Sequence, residues 1–179
     1  MGKKRREIPH LGEEIIETHC HLDYLEEPLS EVLHKSEELG VKRFITIAVE
    51  PANLAVVREL ARNHENIYGT QGLHAHNSGE WSSEVKKDIV SSLQDPKVVA
   101  VGEIGLDYYY LKHPEQTQRD VFRRQLELAI EHELPVVIHS RDAEKDTIQI
   151  LKDLAPELSQ KGVIHSFTSS IELAEVALD

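Results

Sequence analysis

Short apolar runs alternate with longer amphipathic stretches along most of the chain. The apolar runs predict six strands, at residues 14–21, 43–48, 67–74, 98–105, 135–140 and 162–166. Between them, apolar residues recur at spacings of three and four, which predicts helices at residues 29–40, 51–64, 82–94, 115–133 and 143–155. Local signals agree with these boundaries, because Gly40 is typical of a helix end, Pro51 of a helix start and Ser82 or Ser83 of an N-cap.

Strands that alternate with helices of this length predict parallel βαβ units. Several strands are almost continuously apolar, as expected when both faces of a sheet are covered. Two α/β architectures fit this pattern, an open doubly wound sheet and a (β/α)₈ TIM-type barrel. No glycine-rich phosphate loop follows the first strand, which weakens the nucleotide-binding version of the open sheet.

Composition narrows the class of protein. A chain of 179 residues predicts one domain, residues 13–179, after a flexible basic tail at residues 1–12. No apolar run approaches the roughly 20 residues of a membrane span. The single cysteine excludes an intramolecular disulfide and fits a reducing cytoplasm. The formal net charge of −12 argues against a basic nucleic-acid-binding face, although bound divalent cations can invert the local field.

Histidines and one glutamate recur at the predicted strand ends. All strand ends of a parallel barrel open onto one face, which carries the active site, so residues far apart in sequence converge there. Residues i and i+2 of a strand point to the same side, so the His-x-His pair of the first strand faces inward while Cys20 faces the helices. Imidazole and carboxylate groups together favour a divalent metal site. The residues in question are His19, His21, His74, His76, Glu103, His139 and His165.

Other polar residues near the strand ends each have two possible roles. Arg141, two positions after His139, either contacts a phosphate oxygen or forms a salt bridge with a neighbouring carboxylate. Asp107 either binds substrate or fixes its own loop. The tyrosines at 108–110 either stack on a base or pack on the following helix.

Five motifs together resemble the TatD-type metal-dependent deoxyribonucleases, a branch of the amidohydrolase-like barrel superfamily. They are ETHCHLD, GLHAH, VGEIGLDYY, PVVIHSRDA and GVIHSFTSS, in the family's order from about residue 14 to the end. The resemblance implies a (β/α)₈-type barrel with one to three divalent ions, and we expect two, as Mg²⁺, Mn²⁺ or Zn²⁺. It also implies hydrolysis of phosphodiester bonds in a DNA substrate, which we expect to be exonucleolytic, by water that the metal activates.

The resemblance also implies residue roles. One ion is held by His19, His21 and Glu103. A second ion is held by Glu103, His139 and His165, so Glu103 bridges the two. The implied catalytic residues are Glu103 and His74, and the implied substrate-binding residues are His74, His76, Arg141 and Asp107.

The chain departs from the family pattern at its C-terminal side. It has about six of the eight βα units, and the family's ETDAP-like motif, whose aspartate completes the first metal site, has no match. We therefore expect an incomplete barrel, impaired hydrolysis and self-association through exposed barrel edges.

Two other functions compete with the nuclease. An amidohydrolase-like enzyme acting on a small ester, amide or phosphoester is one, although the fifth strand lacks a lysine suitable for carbamylation. A non-catalytic metal-binding remnant is the other.

Overall fold

The computed structural model describes residues 12–178, in which six strands alternate with six α-helices. The predicted tail at residues 1–12 lies outside this range, except for Gly12. The strands are β1 (Ile15–Cys20), β2 (Val41–Thr46), β3 (Ile67–Gln71), β4 (Val98–Asp107), β5 (Val136–Arg141) and β6 (Val163–Ile164). The helices are α1 (Leu29–Glu38), α2 (Pro51–Asn63), α3 (Ser83–Ser92), α4 (Glu115–Glu131), α5 (Glu144–Leu154) and α6 (Ile171–Leu178). Along residues 12–178, no helix is both long and apolar enough to cross a membrane.

The strands form one parallel sheet in the order β1-β2-β3-β4-β5-β6, which is the order along the chain. Strands β1 and β6 are its two edges, yet the imidazole rings of His19 and His165 stack with their centroids 3.4 Å apart. A flat sheet holds its edge strands far apart, so this contact requires a sheet that curls into a partial barrel. The prediction of a (β/α)₈-type barrel with six of its units is confirmed.

The predicted strands are found, with differences at their ends. Strand β3 ends at Gln71 rather than at residue 74, and β4 continues to Asp107 rather than to residue 105. The segment after Gln71 leaves the sheet ladder, although the His74 N–H still donates to the carbonyl of Val49, 2.9 Å away. Apolar character alone does not show where a ladder of hydrogen bonds ends, because the chain at the barrel mouth is equally buried.

Helix ends follow the predicted capping residues. The Ser82 hydroxyl accepts a hydrogen bond from the Val85 N–H (3.2 Å), as an N-cap does. Gly40 has φ +96° and donates to the carbonyl of Glu37, which matches the glycine that commonly follows a helix. Pro51 is the first residue of α2, where its missing N–H costs nothing.

The main core lies between the central strands and helices α3, α4 and α5. Strand β4 is buried along almost its whole length because helices cover the outer face and the barrel interior covers the other. Phe122 and Leu126 of α4 pack here with exposed fractions of 1% and 0%. A smaller cluster around Phe44 and Ile67 fills the space between β2, β3 and α2.

Helix α4 also buries two glutamines, Gln118 and Gln125, on the apolar face that packs against the sheet. The Gln125 amide accepts from the Leu73 N–H (2.7 Å) and donates to the Leu73 carbonyl (2.9 Å). The Gln118 amide does the same with Asp107, at 2.8 Å and 3.0 Å, and also donates to the carbonyl of His113. At the barrel mouth no neighbouring strand pairs with the backbone N–H and carbonyl of Leu73 and Asp107, so each glutamine side chain supplies the hydrogen bonds that these buried groups need.

We predict that Gln125→Leu lowers the free energy of unfolding by about 2 kcal/mol or more, because it leaves the buried N–H and carbonyl of Leu73 unpaired. Urea denaturation followed by circular dichroism measures this change. Gln149→Leu is the matched control, since Gln149 lies exposed on α5 and bonds only Asp153, and its effect should stay within about 0.5 kcal/mol. Equal effects of the two substitutions would contradict the role assigned to Gln125.

Candidate metal centre

The strands bring the predicted site residues to one end of the sheet. His19 is the second-last residue of β1, and His139 is the third-last residue of β5. Glu103 lies in the second half of β4. His21 directly follows β1, and His165 directly follows β6. His74 lies three residues past the end of β3. Two sets of hydrogen bonds hold the backbone there: the His74 N–H donates to the Val49 carbonyl, and the Gln125 side-chain amide bonds the N–H and carbonyl of Leu73.

The carboxylate of Glu103 is the centre of this site. Its side chain is buried, with an exposed residue fraction of 5%. Oε2 lies 3.4 Å from Nε2 of His19, whereas Oε1 lies 3.2 Å from Nδ1 of His139 and 4.0 Å from Nε2 of His74. The two oxygens therefore face two different groups of histidines.

Two sets of three potential ligands share this carboxylate. The first set is His19, Glu103 and His165, and the second is His74, Glu103 and His139. Within each set, one ligand atom from each residue lies within 4.8 Å of the others. Nitrogen and oxygen atoms that converge at this spacing fit a divalent ion, and the shared glutamate fits a pair of ions.

His21 belongs to neither set. Its ring centroid lies 5.5 Å from that of His19, and its Nδ1 is 3.2 Å from the carbonyl oxygen of Ile47. A carbonyl only accepts, so Nδ1 of His21 donates and Nε2 keeps a lone pair, which is the usual tautomer of a histidine that binds metal through Nε2. Its role as a ligand beside His19 stays a prediction.

Cys20, between these histidines, is turned away from the site. Its thiol donates to the carbonyl of Ile45 at 3.4 Å and packs with the smaller apolar cluster. Burial, followed by the nearby charge of Glu17, raises the pKa of the Cys20 thiol to about 12. The alternation of side chains along β1 therefore separates the histidines from an unreactive thiol, as predicted.

Asp107 is buried, with an exposed fraction of 1%, and both of its carboxylate oxygens have partners. Oδ1 accepts from the Tyr110 N–H at 2.8 Å. Oδ2 lies 2.9 Å from Nε2 of His76 and 3.1 Å from Nε2 of His139. Of its two readings, fixing the loop is therefore observed directly, and the predicted contact with substrate stays a prediction.

His139 lies between the two carboxylates. Nε2 faces Asp107 while Nδ1 faces Glu103, so a ring protonated at both nitrogens donates to both carboxylates. A ring that keeps only the Nε2 proton would still donate to Asp107 and would present its Nδ1 lone pair to a bound ion. A carboxylate that orients a histidine in this way is the common outer partner of a metal ligand. Burial opposes protonation of His139, but the hydrogen bonds and charges of Glu103 and Asp107 outweigh it and raise its pKa.

His74 has a fixed hydrogen-bonding polarity. Its Nδ1 accepts from the backbone N–H of His76 at 3.1 Å, so the proton of a neutral His74 is on Nε2, which faces the site. Burial lowers the pKa of His74 to about 4, against the opposing effect of Glu103. The ring is thus a neutral N–H donor in this arrangement, which suits contact with a phosphate oxygen better than direct ligation of a metal.

The same surroundings keep Glu103 ionised. Burial alone would raise the pKa of its carboxyl, but hydrogen bonds to His139 and His19 and the charges of the nearby imidazoles hold that pKa well below its usual range. Asp107 behaves alike, because the hydrogen bonds from Tyr110 and the two histidines outweigh burial and lower its pKa. The site therefore retains two negative charges among its imidazole rings.

Arg141, at the end of β5, stacks on aromatic rings. Its guanidinium carbon lies 4.0 Å from the ring centroid of Tyr109 and 4.9 Å from that of Tyr110. The arginine ion pairs found among residues 12–178 involve Arg62, Arg119 and Arg123 but not Arg141, so the structure gives no support to a salt bridge of Arg141. The phosphate contact of Arg141 and the substrate contact of His76 stay predictions.

Sequence reasoning did not identify Gln118 and Gln125, which set the backbone of Asp107 and of the segment before His74. A signal was present, because both glutamines lie on the apolar stripe of α4 with Val121, Phe122 and Leu126. A polar residue on such a stripe needs a buried partner, so it predicts a specific hydrogen bond.

A parallel barrel with histidines and a shared carboxylate at its strand ends is the arrangement found in metal-dependent hydrolases of the TIM-barrel class. The family model described as TatD related DNase matches residues 16–179. The chain belongs to the TatD related DNase family.

Individual relatives agree with this family. An uncharacterized metal-dependent hydrolase of Buchnera aphidicola is 36% identical, over 92% of this chain and 66% of its own length. A human 3′-5′ RNA nuclease is 34% identical, over 95% of this chain and 24% of its own length. The crystal structure of a TatD homologue from Escherichia coli superposes with a TM-score of 0.80 at 34% identity, over 91% of this chain and 64% of that one.

This chain spans 63–66% of the length of the first three curated relatives that it matches. What those longer proteins do as wholes is therefore a proposal for this chain.

We predict that His165→Ala lowers the affinity of the protein for Zn²⁺ or Mn²⁺ by about tenfold or more, because it removes one of three converging ligands. Isothermal titration calorimetry on protein freed of metal by chelation measures the affinity. His34→Ala is the matched control, because His34 lies exposed on α1 beside Glu38. Wild-type affinity in His165→Ala would show that the first ligand set does not hold an ion.

Proposed function

We propose that this protein hydrolyses phosphodiester bonds in DNA, with divalent ions held at the strand ends. The observation that carries the proposal is the Glu103 carboxylate, whose two oxygens face two separate histidine sets in a family named for DNase activity. A shared carboxylate supports a two-ion site, in which ions act on both sides of one phosphate.

The donor set favours particular metals. The first ligand set offers two imidazoles and one carboxylate, and the second offers the imidazole of His139 with the same carboxylate once His74 is assigned to the phosphate. Imidazole ligands suit Zn²⁺ or Mn²⁺ better than Mg²⁺, since Mg²⁺ prefers oxygen ligands. His19 and His165 would hold one ion with Glu103, and His139 would hold the other. His21 extends the first set if its Nε2 turns toward His19. Bound ions would polarise the phosphoryl oxygen and lower the pKa of water at the site.

The remaining residues bind and orient the phosphate. His74 presents an Nε2–H to the site and donates it to a phosphate oxygen, which is the role expected from the family resemblance. Arg141 stacks through its face on Tyr109, so its N–H groups at the edge are available to a second phosphate oxygen. His76, held by Asp107, lies beside His74 with ring centroids 4.5 Å apart and lines the same side of the site.

Asp107 is proposed to act through His139. Its Oδ2 fixes the ring so that Nδ1 points toward Glu103, and its Oδ1 fixes the loop that begins at Tyr110. We assign Asp107 as a positioning residue, and Glu103 and His74 as the groups that act at the reaction centre.

The nuclease assay uses labelled single-stranded DNA with Mn²⁺ or Zn²⁺, and EDTA in a parallel reaction. We expect metal-dependent cleavage, reduced about 100-fold or more by Glu103→Gln because both ligand sets lose an anionic oxygen. Asp107→Asn should reduce it about 10- to 100-fold, with a matching loss of metal affinity. Cleavage that is unchanged in Glu103→Gln would refute the proposed centre.

The same assay shows the mode of cleavage, the level of activity and the type of nucleic acid that is cleaved. Label at either DNA end distinguishes exonucleolytic shortening from internal cuts, and the turnover number shows whether activity is impaired as predicted from the sequence. An RNA oligonucleotide is included because the human relative is named as an RNA nuclease. Metal binding without hydrolysis of nucleic acid or small esters would instead favour a non-catalytic metal-binding protein.

We also propose that this chain self-associates through the open edges of its sheet. Strands β1 and β6 each pair with one neighbour, which leaves backbone groups for a second copy. Apolar side chains are exposed at the same edges, with Ile16 of β1 at 47%, Val163 of β6 at 53% and Ile171 of α6 at 78%. Apolar residues beside an unpaired strand edge are a typical association surface.

Sedimentation velocity over a range of protein concentrations tests self-association. We expect a mass that rises with concentration, and Ile171→Glu should shift the profile toward the monomer. Val56→Glu is the matched control, since Val56 is 46% exposed on α2 away from either edge, and it should leave the profile unchanged. A monomer at every concentration would contradict the proposal.

A further inference from the structure

The loop after β4 carries three consecutive tyrosines with different surroundings. Tyr108 is partly buried, and its hydroxyl donates to Asp146 at 2.7 Å, so it packs against the neighbouring helices. Tyr109 and Tyr110 are 58% and 52% exposed. One residue thus performs the structural role, whereas the other two present aromatic surface to solvent at the mouth of the barrel.

The guanidinium of Arg141 lies against both exposed rings, so the three side chains form one continuous surface. Its guanidinium lies 4.0 Å from the Tyr109 centroid and 4.9 Å from the Tyr110 centroid, and the two rings meet edge to face at 4.8 Å. A guanidinium over an aromatic face is attracted by the ring electrons and can itself stack on a further planar group. We name Tyr109, Tyr110 and Arg141 the aromatic platform.

The aromatic platform is fixed to the metal centre by short contacts. The Tyr110 N–H donates to Oδ1 of Asp107, whose Oδ2 holds His139 and His76. The Tyr110 ring meets the His76 ring at right angles, with centroids 5.3 Å apart. One carboxylate therefore sets the position of the platform and the orientation of a metal-site histidine together.

The backbone that carries the aromatic platform is also held by the pairing of β4 with β5. Asp107 and Arg141 are paired residues of β4 and β5, and the Tyr108 N–H donates to the carbonyl of Arg141 at 2.9 Å. The platform thus stands on two joined strand ends rather than on a free loop. A group bound to it would stay at a constant distance from a phosphate bound between His74 and Glu103.

From these contacts we infer that the aromatic platform binds a nucleobase of the substrate, next to the phosphate at the metal centre. The inference rests on the proposed function for its substrate class and adds the part of the substrate that is recognised. Every base has a flat face that stacks on aromatic rings and guanidinium groups, so the platform provides affinity with little sequence preference. Its single positive charge also favours a polyanion on a protein with a formal net charge of −12.

Binding of two oligonucleotides tests the platform. One is a fluorescent five-residue thymidine strand with phosphorothioate linkages, which resist hydrolysis, and the other has the same linkages with every base replaced by an abasic residue. Fluorescence anisotropy in the presence of Zn²⁺ gives both affinities. We expect the wild-type protein to bind the strand with bases about tenfold or more tightly than the abasic strand.

Substitutions assign that difference to the platform. Tyr109→Ala and Tyr110→Ala should each weaken binding of the strand with bases several-fold and leave abasic binding unchanged, while Tyr109→Phe should keep the wild-type value. The matched control is Tyr68→Ala, since Tyr68 also lies under a cation, Lys97 at 4.5 Å, but near the start of β3. Circular dichroism confirms that each variant is folded.

The outcomes separate the platform from the nuclease proposal. Equal wild-type affinity for the two strands overturns the platform, and so does an equal loss of both affinities in Tyr109→Ala, even if the protein cleaves DNA. Base-dependent binding that disappears in Tyr109→Ala supports the platform, even if no hydrolysis is found and the nuclease proposal fails.

Discussion

Two buried glutamine amides determine the shape of the barrel mouth. Past the end of β3 the chain leaves the regular ladder, and the end of β4 keeps β5 as its only strand partner. Some buried N–H and carbonyl groups at the barrel mouth therefore have no strand partner. Gln125 pairs with both groups of Leu73, and Gln118 pairs with both groups of Asp107. An unpaired buried amide costs more free energy than one ordinary hydrogen bond supplies. The positions of His74 and of the Asp107 carboxylate therefore depend on one face of α4.

The charges of the site depend on that backbone. Glu103 and Asp107 remain ionised while buried because each accepts hydrogen bonds from imidazoles that the strand ends place around it. A buried carboxylate without such partners takes up a proton instead. On a protein with a formal net charge of −12, a polyanion can bind only where the local charge differs from the average. At the barrel mouth, Arg141 and the ions proposed to bind there would supply that positive charge.

The sequence predicts the strands and their convergent ends because apolar runs and strand ends are local properties. His19, Glu103, His139 and His165 are found together for that reason. The family resemblance placed His165 with His139, whereas the structure groups it with His19. This division depends on the curl of the sheet, which stacks His165 on His19 and leaves His21 against Ile47, and the sequence does not show that curl. The contacts of Asp107 with the rings of His76 and His139 were also hidden, because those rings come from two other segments of the chain.

The spacing of the two glutamines has an evolutionary consequence. Gln118 and Gln125 are seven residues apart, close to two full turns, so both amides leave the helix on the same side. Inserting or deleting one residue between them would rotate one amide by about 100° relative to the other. Either Leu73 after β3 or Asp107 at the end of β4 would then lose its hydrogen bonds to α4. Natural variation in the length of α4 should thus be confined to its two ends. Between Gln118 and Gln125, substitutions should be accepted at the exposed positions, but no change in length.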